Sequence, residues 1–435
     1  MRPDDEMMLD PDRALEQSRL GGTGRRRDDG TADHGEPRKA PPLPRPLMLL
    51  FAAASGLAVA NAYFAHPMLD VMADDLGLSR AHAGLIVGAT QVGYGLGLIL
   101  LVPAGDLIDR RRLVIVQSLL SVAALVSIAL APSAAMLLTA LGVMGLLAVV
   151  TQAFVAYAAS LARPAERGHV VGVVTSGIVL GILLARTIAG TLTDLSGWRT
   201  VYLASALATL VIVALLWKAL PSQEGRPAPM PYPRLIGSLF ALLVSEPALL
   251  IRGILCMLIF ANITTLLTPL VLPLSAPPFS LSHAAIGLFG LAGAAGALGA
   301  ARAGRWTDRG SGQRVTGISL ALMLLAWGPI SLLPHSILWL VIGVVVIDFG
   351  LQAVHVTNQA MIYRVRPDAQ SRLTAGYMVF YSIGSALGSS LSTLAYAHAG
   401  WPGVCLLGAG ISGLALLFWA ATLRIMPAAA TRALS

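Results

Sequence analysis

Residues 81–130 read AHAGLIVGATQVGYGLGLILLVPAGDLIDRRRLVIVQSLLSVAALVSIAL. Two apolar runs flank the polar hinge at 105–112, and each is about 20 residues long, enough to cross a hydrocarbon core at 1.5 Å per residue. Neither run alternates apolar and polar residues as a membrane β-barrel strand does. A helix satisfies its own backbone in lipid, so the stretch reads as a helical hairpin through a bilayer.

The pattern repeats outward along the chain. Of 435 residues, 56% are hydrophobic and only 12% charged, with a mean hydropathy of +0.74, too few charges to cover a soluble surface. Twelve spans are expected: 47–68, 81–104, 113–131, 134–161, 169–191 and 200–219, then 249–272, 284–303, 315–333, 336–361, 373–395 and 402–424. The fold class is therefore all-α membrane protein, organised as an N-terminal bundle (47–219), a proline-rich linker (220–248) and a C-terminal bundle (249–424). Residues 1–46 are highly charged and poor in apolar side chains, and read as a disordered tail. Residues 425–435 form a second tail. Arg25, Arg26 and Arg27 suggest an export signal, but acidic residues follow and the next apolar run starts only at Leu47, so no cleaved leader is expected. Cys256 and Cys405 lie in apolar runs and suggest no disulfide framework.

Charge gives an orientation. With the N-terminus inside, all but Arg80, Arg186 and Arg199 of the 30 Lys and Arg residues fall in cytoplasmic segments, as the positive-inside rule requires. Both termini are then cytoplasmic, and the pI of about 9.9 reports topology, not nucleic-acid binding. Only Lys39 and Lys218 are lysine, and Ala and Gly are abundant. That bias suggests a GC-rich bacterial source, hence the bacterial inner membrane.

Four landmarks occur twice. Leu78-Ser79-x4-Gly84-Leu85 matches Leu281-Ser282-x4-Gly287-Leu288, and Gly105-x3-Asp109-Arg110 matches Gly304-x3-Asp308-Arg309. Arg163-Pro164 matches Arg366-Pro367, and Gly197-Trp198 matches Gly400-Trp401. Their shared order indicates duplication, giving two pseudo-symmetric six-helix bundles related as parallel repeats.

These residues resemble the major facilitator superfamily, whose loop between spans 2 and 3 reads G-x-L-[AG]-D-[RK]-x-G-[RK]. The chain matches it at Gly105, Leu107, Asp109 and Arg110 and departs from it at Arg112 and Leu113. The variant, with Asn61-Ala62-Tyr63-Phe64-Ala65-His66-Pro67 and Asn358-Gln359-Ala360, is similar to bacterial drug and sugar efflux members. The resemblance implies a gating role for Asp109 and Arg110, with Asp308 and Arg309 as the second-half echo. On physical grounds Gly105 permits close approach, and Asp109 can pair with an Arg at a helix end; plain topogenic charge suffices for Arg111 and Arg112.

A charge at mid-bilayer costs roughly 2.5–3.5 kcal/mol, so one that survives there faces a cavity or a partner. Asp348 lies near the middle of span 10 and is a candidate proton carrier or a static ion-pair member. Arg186, toward the far end of span 5, is a substrate, counter-ion or structural candidate. Asp348, Gln352, His355 and Gln359 follow one helical face, and a polar stripe on a spanning helix faces water or substrate. Asn61 and His66 of span 1 are further cavity candidates. The resemblance implies that spans 1, 4, 7 and 10 line the cavity, adding Gln152, Asn262 and Thr265, although each could instead bond a neighbouring backbone. Gly177-x3-Gly181 matches the start of the family's antiporter signature, but Ile182, Ala185 and Arg186 depart from its remainder. Trp198 and Trp401 are expected at membrane interfaces as structural rings.

No nucleotide-binding P-loop, metal-ligand cluster or hydrolase motif occurs, so neither an ATP motor nor an enzyme is expected, and no cofactor beyond a proton gradient. The expected function is secondary active transport by alternating access: proton-coupled export of a small organic molecule, drug-like or sugar. An uptake symporter or uniporter on the same fold, or a membrane receptor that binds without transport, are the alternatives. The expected partners are that molecule, protons and the lipid bilayer, with the chain acting as a monomer because each copy holds both halves of a pathway.

Overall fold

The computed structural model describes residues 43–424 except 106, 164–165, 222–230, 293–302 and 365–369; the side chains of 308, 370 and 371 are also outside the description. The first expected tail up to residue 42, the whole of the second (425–435) and the Arg366-Pro367 landmark therefore lie outside the described residues.

All regular structure among the described residues is helical. Among the described residues nine helices are long and apolar enough to cross a membrane: Gly84–Ala104, Arg110–Ala129, Ala134–Leu161, Arg167–Ser196, Trp198–Ala219, Pro247–Ser275, Arg309–Ser331, Ile337–Tyr363 and Arg372–Thr422. They overlie expected spans 2–7 and 9–12, the last holding both span 11 and span 12. Those two part at Gly400, which has φ 58° and ψ −153°. Spans 5 and 6 part in the same way at Gly197, with φ 82°. A left-handed residue ends each helix, which is why glycine stands at both copies of the Gly-Trp landmark.

Span 1 differs from expectation. Its helix, Arg45–Ala60, stops at Asn61 and resumes as the 3₁₀ turn His66–Met68 and the helix Leu69–Asp75. Span 8 begins as His283–Gly287 and Leu288–Ala292 before passing out of the described residues. The linker is not featureless: Tyr232–Ser245 is a helix with Pro231 at its N-cap. Leu239 and Leu242 are buried, and the Tyr232 hydroxyl donates to the Leu100 carbonyl of span 2. Leu239 and Leu243 also lie beside Gly376 of span 11, so this helix touches both halves.

The duplication recurs in the packing. Asn61 Oδ1 accepts from Ser205 Oγ of span 6 at 2.6 Å, and Asn262 of span 7 donates to Ser412 Oγ and to the Gly408 carbonyl of span 12. A polar clamp thus stitches the first helix of each half to its sixth. Ser133 caps span 4 and Ser336 caps span 10. Gly177 and Gly181 press span 5 against Ala52 and Gly56 of span 1, while Gly384 and Gly388 press span 11 against Met257 and Ala261 of span 7. A Cβ at any of these four glycines would meet backbone oxygen at 2.0–2.3 Å, so small residues set these crossings.

Several side chains sit deeper than expected. Arg252, counted above among loop charges, is 1% exposed, and its Nη1 donates to Thr316 Oγ1 and Asn358 Oδ1. Trp198 and Trp401, expected at the membrane interface, are buried, and their Nε1 atoms donate to Asp75 Oδ2 and the Ile330 carbonyl. Cys256 and Cys405 are buried free thiols.

The halves meet at the end away from the arginine-rich loops. There span 2 crosses span 11: Gly84 packs on the Ser389 backbone, and its N–H donates to Thr393 Oγ1 at 3.1 Å. Span 5 crosses span 8, with Gly190 on the His283 carbonyl and Gly287 on the Arg186 carbonyl.

Candidate functional site

Span 10 carries Asp348, Gln352, His355 and Gln359 as expected, and all four are partly exposed, whereas Ile347, Leu351, Val354 and Asn358 alongside them are buried. The polar stripe therefore lies on a more accessible face of span 10 than its neighbours. His355 Nδ1 lies 3.0 Å from the Tyr377 hydroxyl, and its ring meets Phe260 of span 7 edge-on, 5.3 Å between centroids.

From there an aromatic wall crosses the molecule. Phe260 packs on Tyr381 of span 11 at 4.4 Å. The Tyr381 hydroxyl is 3.0 Å from that of Tyr63, and Gln91 Nε2 donates to it at 3.5 Å. Tyr94 lies edge-on to Tyr381 and bonds Gln152 of span 4. Over the Tyr63 ring, 5.7 Å from its centroid, stands the guanidinium of Arg186. Its aliphatic stem lies where a side chain at Gly290 would otherwise sit.

Arg186 and Asp348 belong to opposite halves and lie within Coulombic reach of each other, yet no ion pair joins them among the described residues. Arg186 Nε and Asp348 Oδ2 are both buried without a hydrogen-bond partner among the described residues. A buried polar atom left so is costly, and here the two belong to groups of opposite charge.

The expected residues thus divide. Gln152, Arg186, Asp348 and His355 come together around the wall, with His66 behind it, stacked on Tyr63 at 6.0 Å and with Nδ1 3.3 Å from the Tyr63 carbonyl. Gln352 and Gln359 share the stripe. Asn61 and Asn262 instead turn into their own halves as the clamps described above, and Thr265 is wholly buried. Sequence reasoning missed Tyr94, Phe260 and Tyr381, because an aromatic residue in a spanning helix reads as packing until its neighbours are known.

At the arginine-rich end Gly105 sits against Val102 and Leu113, where a Cβ would be 3.2 Å from the Val102 carbonyl. Asp109 was expected to pair with an arginine. It caps span 3 instead, Oδ1 accepting from the Arg112 N–H at 2.7 Å, and Oδ2 has no partner among the described residues. Arg110 begins the same helix. Arg309 is exposed in the π-helical turn Thr307–Ser311, and the Asp308 side chain lies outside the description.

A second cluster, not foreseen from sequence, joins the halves at the opposite end. His283, first residue of its helix, has Nδ1 2.7 Å from Asp194 Oδ1 and Nε2 3.2 Å from Asp70 Oδ1. Asp194 also accepts the N–H groups of His283 and Ala284 at 3.1 and 2.8 Å. Hydrogen bonding to Asp70 is the largest influence on His283; with the further pull of Asp194 it outweighs burial and raises the imidazole pKa above its ordinary range. Nearby Arg199 pairs with Asp75 and stacks on Trp198.

The Major Facilitator Superfamily model matches residues 50–309 and 270–434. The chain is 47% identical over 373 residues to the putative uncharacterized transporter YgaY of Escherichia coli K12, covering 86% of this chain and 94% of that protein. A shorter match, 27% over 165 residues, 37% of this chain and 41% of the relative, is to the purine ribonucleoside efflux pump NepI of Escherichia coli O127:H6. Among solved structures, a bacterial homologue of the human lysosomal transporter Spinster, inward-facing and occupied, superposes with a TM-score of 0.71 at 13% identity, covering 87% of this chain and 97% of that one.

Proposed function

The chain belongs to the major facilitator superfamily of membrane transporters, and on that premise we propose that it exports a small organic molecule in exchange for protons. One observation carries the reading: an acid from one half, Asp348, and a guanidinium from the other, Arg186, are both partly exposed and lie within Coulombic reach of each other, and Asp348 Oδ2 and Arg186 Nε have no hydrogen-bond partner among the described residues. A carboxylate there can hold either a proton or a substrate group, and exclusive occupancy is what couples two opposed fluxes. The efflux activity named for NepI supports the outward direction. With the positive-inside rule, the arginine-rich end and both termini are cytoplasmic in the bacterial inner membrane. The Asp70–His283–Asp194 cluster then closes the outer mouth, and the loop at Gly105, Asp109 and Arg110 serves the inner gate as span 3 rocks with its half.

Purified full-length protein in proteoliposomes tests this. An imposed pH gradient is expected to drive accumulation of a transported compound against its own gradient, and Asp348→Asn to abolish that drive. Undiminished proton coupling in Asp348→Asn would remove Asp348 from the mechanism. Saturable binding with no flux would make the protein a receptor.

A further inference from the structure

Resting on that transport reading, we infer that the substrate is a zwitterion: a compound carrying both a carboxylate and an ammonium on an aromatic or otherwise apolar body. The space between the halves has two poles. Arg186 offers a partly exposed guanidinium side chain and Asp348 a partly exposed carboxylate, and the buried Nε of the one and Oδ2 of the other have no hydrogen-bond partner among the described residues. The two are close enough to feel each other's charge, yet no ion pair joins them among the described residues. Elsewhere between the halves, Asp194 accepts from the His283 ring and two backbone N–H groups, and the hydroxyls of Tyr63 and Tyr381 bond each other. The guanidinium of Arg186 and the carboxylate of Asp348 are of opposite sign and complementary in kind.

Charge balance chooses among ligands. A simple anion satisfies Arg186 but is repelled by Asp348 unless a proton accompanies it, which makes proton and substrate fellow passengers and contradicts exchange. A simple cation satisfies Asp348 but meets Arg186. A zwitterion satisfies both poles and adds no net charge to a low-dielectric space. Its carboxylate takes the guanidinium fork, and its ammonium occupies the place of the proton on Asp348, so loading a proton expels it. The rings of Tyr63, Tyr381 and Phe260 supply a wall for its apolar body.

The test uses the purified full-length protein and a panel of aromatic α-amino acids, ω-amino acids and dipeptides. Each is offered in three forms: free, as the methyl ester, which lacks the carboxylate, and N-acetylated, which lacks the ammonium. At least one free compound is expected to bind about tenfold or more tighter than both of its derivatives. Arg186→Gln should erase the preference over the ester, and Asp348→Asn the preference over the N-acetyl form. Asp348→Asn reads its pole alone if Arg186→Gln does not fold. Equal or tighter binding of either derivative, or binding of no panel member, overturns the inference. If an ester alone binds and is still driven by a pH gradient, the substrate is a cation and the exchange reading survives. If the free compound binds but no gradient moves it, the transport reading fails instead.

Discussion

His283 shows how far one side chain can reach. Its ring lies between carboxylates 213 and 89 residues away in the chain, and both belong to the opposite half. Asp70, foremost, and Asp194 raise its pKa in the closed mouth, so the proton binds more tightly there than in an opened one. The contribution of this contact to closure is complete below the ordinary imidazole range and is lost as pH climbs through the raised value. Spin labels at Arg80 and at Tyr396, which lie within Coulombic reach of each other across the halves, should therefore separate as pH rises, and His283→Gln should flatten the response. A distance that ignores pH in the parent protein would show that the cluster does not govern opening. The sequence displays this histidine beside a repeated landmark but hides its function, because the acids that define it come from distant segments. Asp348 and His355, by contrast, were legible, since helical spacing alone aligned them on a face.

Between helices, glycine decides how closely two axes approach. A Cβ on Gly84 would stand 2.1 Å from the Ser389 carbonyl oxygen of the opposite half, whereas nothing lies within 4 Å of the corresponding point on Gly172. Gly84→Val should accordingly cost about 1–3 kcal/mol in the closed arrangement, and Gly172→Ala should be neutral or stabilise by less than about 1 kcal/mol. Thermal unfolding of the two variants in detergent checks the contrast; equal midpoints would show that the span 2–span 11 crossing is loose. Hydropathy located these helices well, since length and apolarity are local properties. It overran span 1 past Asn61, where apolar residues continue through a 3₁₀ turn, and it left the linker without the helix Tyr232–Ser245, whose prolines signal a break but also suit a helix start. The glycine pair on span 5 was visible; its echo on span 11 passes unnoticed until both are seen pressed on the first helix of their own half.

For the molecule as a whole, the duplication read from four landmarks reappears as matched clamps, caps and crossings, because both halves solve the same packing problem with the same residue types. The site is where they diverge: Arg186 belongs to one half and Asp348 to the other, and their opposition could not be read from spacing within either. The clamps have one more consequence. Asn61 with Ser205 and Asn262 with Ser412 each close a ring of helices using only residues of one half, so each bundle holds itself together without help from the peptide that joins them. Covalent continuity is then a convenience of synthesis, securing equal numbers of the two parts. Residues 1–224 and 225–435 made as separate polypeptides in one cell should assemble into a particle that co-purifies and moves the same cargo, whereas fragments that are degraded unless fused would mean that the junction itself directs folding.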